Sequence, residues 1–140
     1  MIIDASNLLL GRMATHVAKE ILNGENVEIV NCEKAIISGS RRNIIEKYSA
    51  RTKRGTPFHG PFYPRREEMV VRRAVRGMLP FKEIRGQDAF RRLKCYTGLP
   101  ESLKEKKLET IKEASVSRLG KAGYVTIADI SKEMGKKNAR

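Results

Sequence analysis

Residues 1–31 read MIIDASNLLLGRMATHVAKEILNGENVEIVN, and the spacing of apolar residues changes twice within them. Met1-Ile2-Ile3-Asp4 is a short apolar run, the pattern of a buried strand. From Leu10 the apolar residues fall at positions 10, 13, 14, 17, 18 and 21, the stripe of an amphipathic helix. Ser6 or Asn7 is placed to cap that helix, because a short side-chain oxygen accepts from a free backbone N–H. Asn23-Gly24 is placed to end it, glycine being free to turn left-handed. Val27-Glu28-Ile29-Val30 then reads as a second, β-branched strand. Strand, helix and strand at this length make one βαβ unit, whose strands run parallel with a right-handed crossover. The fold class that follows is α/β.

Beyond this unit, Ala35-Ile36-Ile37 is a third short strand. Ser38-Gly39-Ser40 breaks it and caps a helix from Arg41 to Arg51, with Ile44, Ile45 and Tyr48 on its apolar side. Residues 52–65 lack apolar periodicity and hold Gly55, Pro57, Gly60, Pro61 and Pro64, which predicts a long loop of the kind that often carries function. A helix follows from Arg66 to Met78, and Pro80 stops it. A shorter helix spans Gln87 to Lys94, and Lys94-Cys95-Tyr96 is the last strand before Gly98 and Pro100 turn the chain. Residues 101–113, rich in Lys and Glu, read as a solvated helix. Thr126-Ile127-Ala128-Asp129 resembles a capping box with Asp for Glu, opening a small helix to Gly135. Lys136 to Arg140 are expected to be mobile until a partner orders them. The chain is expected to form one domain over 1–140, with a core in about 1–100 and a basic extension in 101–140.

Composition narrows the class. The chain has 140 residues, 40% of them hydrophobic, which allows a modest core. Its longest apolar runs, such as Leu8-Leu9-Leu10, are far short of the ~20 residues of a membrane-spanning helix, and no signal peptide is expected. Cys32 and Cys95 are too few for a disulfide framework or a four-cysteine zinc site, so a reduced cytoplasmic setting is expected. Lys and Arg number 29 against 16 acids, a net +13. A polyanion is the partner this implies, nucleic acid ahead of membrane. The charge is uneven: residues 1–50 hold six basic and six acidic side chains, whereas residues 51–98 hold thirteen basic and four acidic, a net +9. A coat of cations for solubility alone would be spread evenly.

Much of that excess falls on one helix and the loop before it. At about 100° per residue from Arg66, Val70, Val71, Ala74, Val75 and Met78 share one face. Arg65, Arg66, Arg72, Arg73 and Arg76 share the opposite face, with only Met69 among them. An ordinary solvated helix mixes signs and uses Lys as readily as Arg. The planar guanidinium suits phosphate and stacks on bases. The loop Arg51-Thr52-Lys53-Arg54-Gly55-Thr56-Pro57-Phe58-His59-Gly60-Pro61-Phe62-Tyr63-Pro64 interleaves cations, glycines and aromatics. Its aromatic rings suit unpaired bases, a mode typical of RNA recognition. Phe58 and Phe62 are read equally well as satellite core residues, while His59 and Tyr63 are expected near the surface. The RNA-binding set is therefore Arg51, Lys53, Arg54, His59 and Tyr63 from the loop with Arg65, Arg66, Arg72, Arg73 and Arg76. Arg41 and Arg42 before it, and Lys82 and Arg85 after it, complete the set.

No catalytic constellation is written in the chain. His16 lies beside the first helix's apolar stripe on no ligand spacing, and neither histidine has a cysteine or acid at zinc-ligand spacing. Cys32 and Cys95 read as small buried hydrophobes. Gly55 to Gly60 begins like a phosphate-binding loop, but Pro61 and Phe62 stand where Lys and Ser/Thr are required. The loop after the first strand lacks the glycine series of a dinucleotide site. No metal, cofactor or small-molecule substrate is expected.

Five strings in register resemble the thirteenth ribosomal protein family of the large subunit. They are Leu10-Gly11-Arg12-Met13-Ala14 with Val17-Ala18, Val30-Asn31-Cys32-Glu33 with Ile37-Ser38-Gly39, and Gly60-Pro61-Phe62. Val75-Arg76-Gly77-Met78-Leu79-Pro80 and Leu93-Lys94-Cys95-Tyr96-Thr97-Gly98-Leu99-Pro100 complete the series, which covers about residues 2–100. A start almost at the first strand resembles the archaeal and eukaryotic form. The resemblance implies a three-layer α/β/α domain around a parallel four-stranded sheet. It implies a structural, non-enzymatic protein that binds large-subunit ribosomal RNA beside neighbouring ribosomal proteins and supports subunit assembly. It also marks Gly77-Met78-Leu79-Pro80 as a helix-to-loop junction next to the RNA-facing surface. Two other classes remain at this point. A nucleotide-using α/β enzyme would need a phosphate-binding first loop, and a DNA-architectural protein would prefer duplex DNA to structured RNA.

Overall fold

The computed structural model describes residues 1–120 and 123–135. Strand β1 (Ile2–Asp4), helix α1 (Leu10–Leu22) and strand β2 (Val27–Val30) form the predicted βαβ unit. The two strands are parallel, with Ile3 opposite Ile29. All six stripe residues of α1, from Leu10 to Ile21, are buried. Asn23 caps its end and Gly24 follows at φ +107°, as its position predicts. The start differs: Leu9 is the capping position and no side chain caps it. Ser6 and Asn31 are used on Asp4 instead, the Ser6 hydroxyl donating to Oδ1 at 2.7 Å and the Asn31 amide at 2.9 Å. Burial opposes the Asp4 charge, but these donors, the Ser6 N–H and nearby Lys34 outweigh it and hold the carboxyl below its ordinary value.

The parallel sheet has three strands among the described residues, in the order β1-β2-β4, where β4 is Leu93–Cys95. A four-stranded parallel sheet is not what forms. The third predicted strand exists as β3 (Ile36–Ser38), but it pairs antiparallel with β5 (Tyr124–Thr126) in a second sheet. The cause is the connection. Only residues 31–35 separate β2 from β3, and they are taken up by Asn31 at φ 56° and a 3₁₀ turn over Cys32–Lys34. A parallel crossover needs about a dozen residues, so the chain turns out of the sheet. The free edge of β1 is met by one residue of the tail: Asp4 N–H donates to Glu109 O at 3.0 Å, and Glu109 N–H to Ile2 O at 2.9 Å.

Four further helices complete the described fold: α2 (Arg41–Lys53), α3 (Glu67–Arg76), α4 (Ile84–Arg91) and α5 (Ile127–Glu133). Helix α3 packs on α1 and β4, α4 on α1, and α2 on α5. Residues 101–113 do not form a solvated α-helix. They hold 3₁₀ turns at Glu101–Leu103 and from Lys112, because a Lys/Glu run without an apolar stripe offers no face for packing to hold. The tail nonetheless enters the core through Leu103, Ala114, Val125, Ile127 and Ile130. Thr126 Oγ1 accepts from Asp129 N–H at 3.2 Å, the cap its spacing predicts. Lys136 to Arg140 lie outside the described residues. No helix of the described chain is long and apolar enough to cross a membrane.

Candidate nucleic-acid interface

Helix α3 is amphipathic, but shorter than its apolar pattern suggests. Val70, Val71 and Val75 are buried, and Ala74 packs against the core. Glu67 and Glu68 in the first turn and Arg73 and Arg76 in the last complement the helix dipole. The helix ends at Arg76 with Gly77 as its cap, so Met78 leaves the helical projection and stands 43% exposed rather than inward. Arg65 and Arg66 lie before the first turn. The five-arginine face is therefore three helical guanidinium groups beside two from the loop.

The three helical arginines lie over aromatic rings. The guanidinium carbon of Arg73 is 4.6 Å from the Tyr63 ring centroid, that of Arg72 is 4.7 Å from Phe90, and that of Arg76 is 5.1 Å from Phe81. Arg51, near the end of α2, sits over both Tyr48 and Tyr63, at 5.4 and 5.7 Å. The rings in turn meet edge to face, Tyr48 with Tyr63 at 6.0 Å and Phe81 with Phe90 at 5.4 Å. Each such cation–π contact is worth about 0.5–2 kcal/mol, depending on desolvation. The stacking restricts the rotamer freedom of these long side chains in the folded chain. Burial, then the neighbouring Tyr63 hydroxyl, pushes the Tyr48 hydroxyl above its ordinary value, against the opposing pull of Arg51.

The loop between α2 and α3 is held by its glycines. Thr56 and Gly60 exchange backbone hydrogen bonds at 3.2 and 2.9 Å, closing a small hairpin with Pro57, Phe58 and His59 at its tip. A Cβ on Gly55 would come within 2.0 Å of Gly60 O, and Gly55 has φ +87°, so only glycine fits. Phe58 is 89% and Phe62 72% exposed, which decides against a satellite-core role for either. His59 is exposed as expected, whereas Tyr63 is half-buried and packs against the core.

Three adjoining hollows share Tyr63 as a wall. One also takes in Arg51, Arg54 and Arg73, the second Arg72, Arg73 and Arg76, and the third Lys53, Arg54 and Arg65. Arg41, Arg42, His59, Arg66, Lys82 and Arg85 line none of these three. Arg41 is engaged within the fold, 3.5 Å from Asp129 and 3.6 Å from Glu133 on α5. Arg66 pairs with Glu68 at 2.7 Å, and Arg65 donates to Gly135 O at 3.4 Å. Arg42, Lys82 and Arg85 are exposed. Sequence reasoning missed Tyr48, Phe81 and Phe90, the rings beneath the arginines. The Tyr48–Arg51 spacing of three on a helix was a readable signal; Phe81 and Phe90 meet only through the fold.

The arrangement offers cations and exposed rings and no reaction centre. Among the described residues no group of three or more His, Cys, Asp and Glu side chains converges as a metal site. Cys32 is buried and Cys95 half-buried, and their hydrogen bond, with burial, pushes the Cys32 thiol up and keeps it protonated. His16 is half-buried at the edge of the α1 stripe.

Comparison with known proteins adds a family. The sequence profile described as Ribosomal protein L13 matches residues 1–102. The chain is 48% identical to the large ribosomal subunit protein uL13 of Methanopyrus kandleri over 136 residues, covering 96% of this chain and 86% of the relative. It is 45% identical to the protein of the same name from Methanococcoides burtonii, over 97% of this chain and 98% of that one. Its identity to the uL13 of Archaeoglobus fulgidus is 43%, over 96% and 86%.

Proposed function

From the premise that the chain belongs to the ribosomal protein L13 family, we propose that it is a structural, non-catalytic constituent of the large ribosomal subunit that docks on ribosomal RNA. We assign the RNA-facing surface to the α2–α3 loop and the outer face of α3. The observation that carries this is the set of ring-stacked arginines, Arg51, Arg72, Arg73 and Arg76, around one exposed aromatic loop. Arg54, His59, Arg65 and Arg66 border it from the same loop, and Lys53 from the last turn of α2. Arg42, Lys82 and Arg85 flank it as exposed cations, and so does Arg41, which also pairs with Asp129 and Glu133 on α5. Other large-subunit proteins are its neighbours and the ribosome in the cytoplasm its location. The single unit is the whole chain, because residues after 100 complete the core.

The test is a salt titration. The full chain binds large-subunit ribosomal RNA with log affinity falling linearly against log salt, because each neutralised phosphate releases counterions. Replacing Arg72, Arg73 and Arg76 together by Gln reduces the slope by about 3, at roughly 0.9 per lost phosphate contact. Circular dichroism of the variant checks that the fold survives loss of the ring contacts. An unchanged slope in a folded variant shows that α3 does not face the RNA.

A further inference from the structure

Phe62 projects from the loop, 72% exposed, beside a cavity of about 450 Å³. Met69, itself 41% exposed, and Phe90 give the cavity its apolar wall, and Arg72, Arg73 and Arg76 its cationic one. Phosphate backbone needs only the cations, and an exposed Phe and Met add nothing to its recognition. The guanidinium groups of Arg72 and Arg73 are already laid on rings, at 4.7 Å from Phe90 and 4.6 Å from Tyr63. Stacking uses a guanidinium's face and leaves in-plane N–H groups for phosphate oxygens. An aromatic plane and an apolar wall next to anchored cations match a nucleotide whose base is out of its helix.

We propose that this cavity takes one unpaired nucleotide of the bound RNA, its base against Phe62 and Met69 and its phosphate on the arginines. This rests on the RNA-docking function above and adds selectivity for an extruded base, which backbone contacts cannot supply. The occupant is RNA rather than an acidic protein segment because three cations and stacking surfaces occur together.

The experiment uses the full chain and two RNA hairpins with the same stem. One stem is fully paired, and the other carries a single bulged 2-aminopurine. The protein binds the bulged hairpin more tightly, and the 2-aminopurine fluorescence is quenched on binding. Phe62→Ala weakens binding to the bulged hairpin by about 5- to 150-fold, the range of one lost base–aromatic stack, and leaves binding to the paired hairpin and both salt slopes unchanged. Phe62→Tyr restores the preference. Equal binding of both hairpins, or an equal effect of Phe62→Ala on the two, overturns the base site while leaving RNA docking standing. Binding of neither hairpin by the unsubstituted protein, together with no salt-sensitive binding of large-subunit RNA, overturns RNA docking itself. Phe62-dependent binding of an alternating Glu–Trp peptide in preference to the bulged hairpin overturns the base site in favour of a protein neighbour.

Discussion

Gly11 and Gly86 both lie in helices without a left-handed φ, yet replacing each by alanine is expected to move stability in opposite directions. Alanine in place of glycine favours a helix by up to about 1 kcal/mol. At Gly11 a new Cβ meets nothing within 4 Å, so Gly11→Ala stabilises by about 0.5–1 kcal/mol. At Gly86 the Cβ would stand 2.1 Å from Pro80 O and 2.5 Å from Pro80 C. Those atoms are backbone and must move by more than 1 Å to reach ordinary contact. The same carbonyl accepts from Glu83 N–H at 3.0 Å, so moving it also strains the turn that starts α4. Overpacking costs about 1–3 kcal/mol and a weakened hydrogen bond about 1. Against the helix gain, Gly86→Ala is left destabilising by about 1–3 kcal/mol. At roughly 3–4 °C per kcal/mol for a chain of this length, calorimetry shows a rise of about 2–4 °C for Gly11→Ala and a fall of about 3–12 °C for Gly86→Ala. A Gly86→Ala protein at least as stable as the unsubstituted one refutes the close approach of α4 to Pro80. The displaced segment also carries Phe81, the ring beneath Arg76, so RNA affinity falls with it.

Two further outcomes follow from contacts far from the loop. Asp4 is held below the ordinary aspartate value of 3.8, so its contribution is fully present above that value and is lost as pH falls through the lowered one. Urea unfolding of Asp4→Asn is therefore less pH-dependent below about pH 4 than that of the unsubstituted chain, and curves of equal steepness would show that Asp4 is not the group responsible. Ser131 is fully buried and its hydroxyl donates to Arg65 O, joining α5 to the loop before α3. Ser131→Ala leaves that carbonyl without its partner, at about 1–3 kcal/mol. Thermal unfolding shows the loss, and an unchanged midpoint would mean that the tail and the loop are not coupled.

The βαβ opening was legible because it is local. The α1 stripe has the helical period over thirteen residues, and only one arrangement buries it. The strand at Ile36–Ser38 was legible as a strand, but its partner was not. Three residues carry no record of what lies opposite, and β5 is almost ninety residues further on. The cap at Ser6 failed for a different, local reason: its hydroxyl has a charged acceptor two residues away in Asp4, which Asn31 also engages. At the candidate site, the inner and outer faces of α3 followed from periodicity as far as Arg76. They failed at Met78, because the chain had left the helix. Charge clustering pointed to the loop, and His59 is exposed as expected; Phe58 and Phe62, readable either way, stand out, whereas Tyr63, expected near the surface, is half-buried. Tyr63 is drawn in by Arg73 and Tyr48, and Phe58 is held out by the Thr56–Gly60 hairpin.

The antiparallel pair of β3 with β5 has a consequence for the order of events during synthesis. A ribosome makes the chain from its first residue, and Ile36, buried here, waits for Thr126 opposite it. Until α5 emerges, the loop before α3 also lacks the Ser131 hydroxyl that donates to its Arg65 carbonyl. The nascent chain therefore carries its basic loop in an unfinished setting until α5 is made, and local pairing of β1 with β2 cannot supply what is missing. The Arg65 side of the candidate surface is completed only once Ser131, 66 residues further along the chain, has been made.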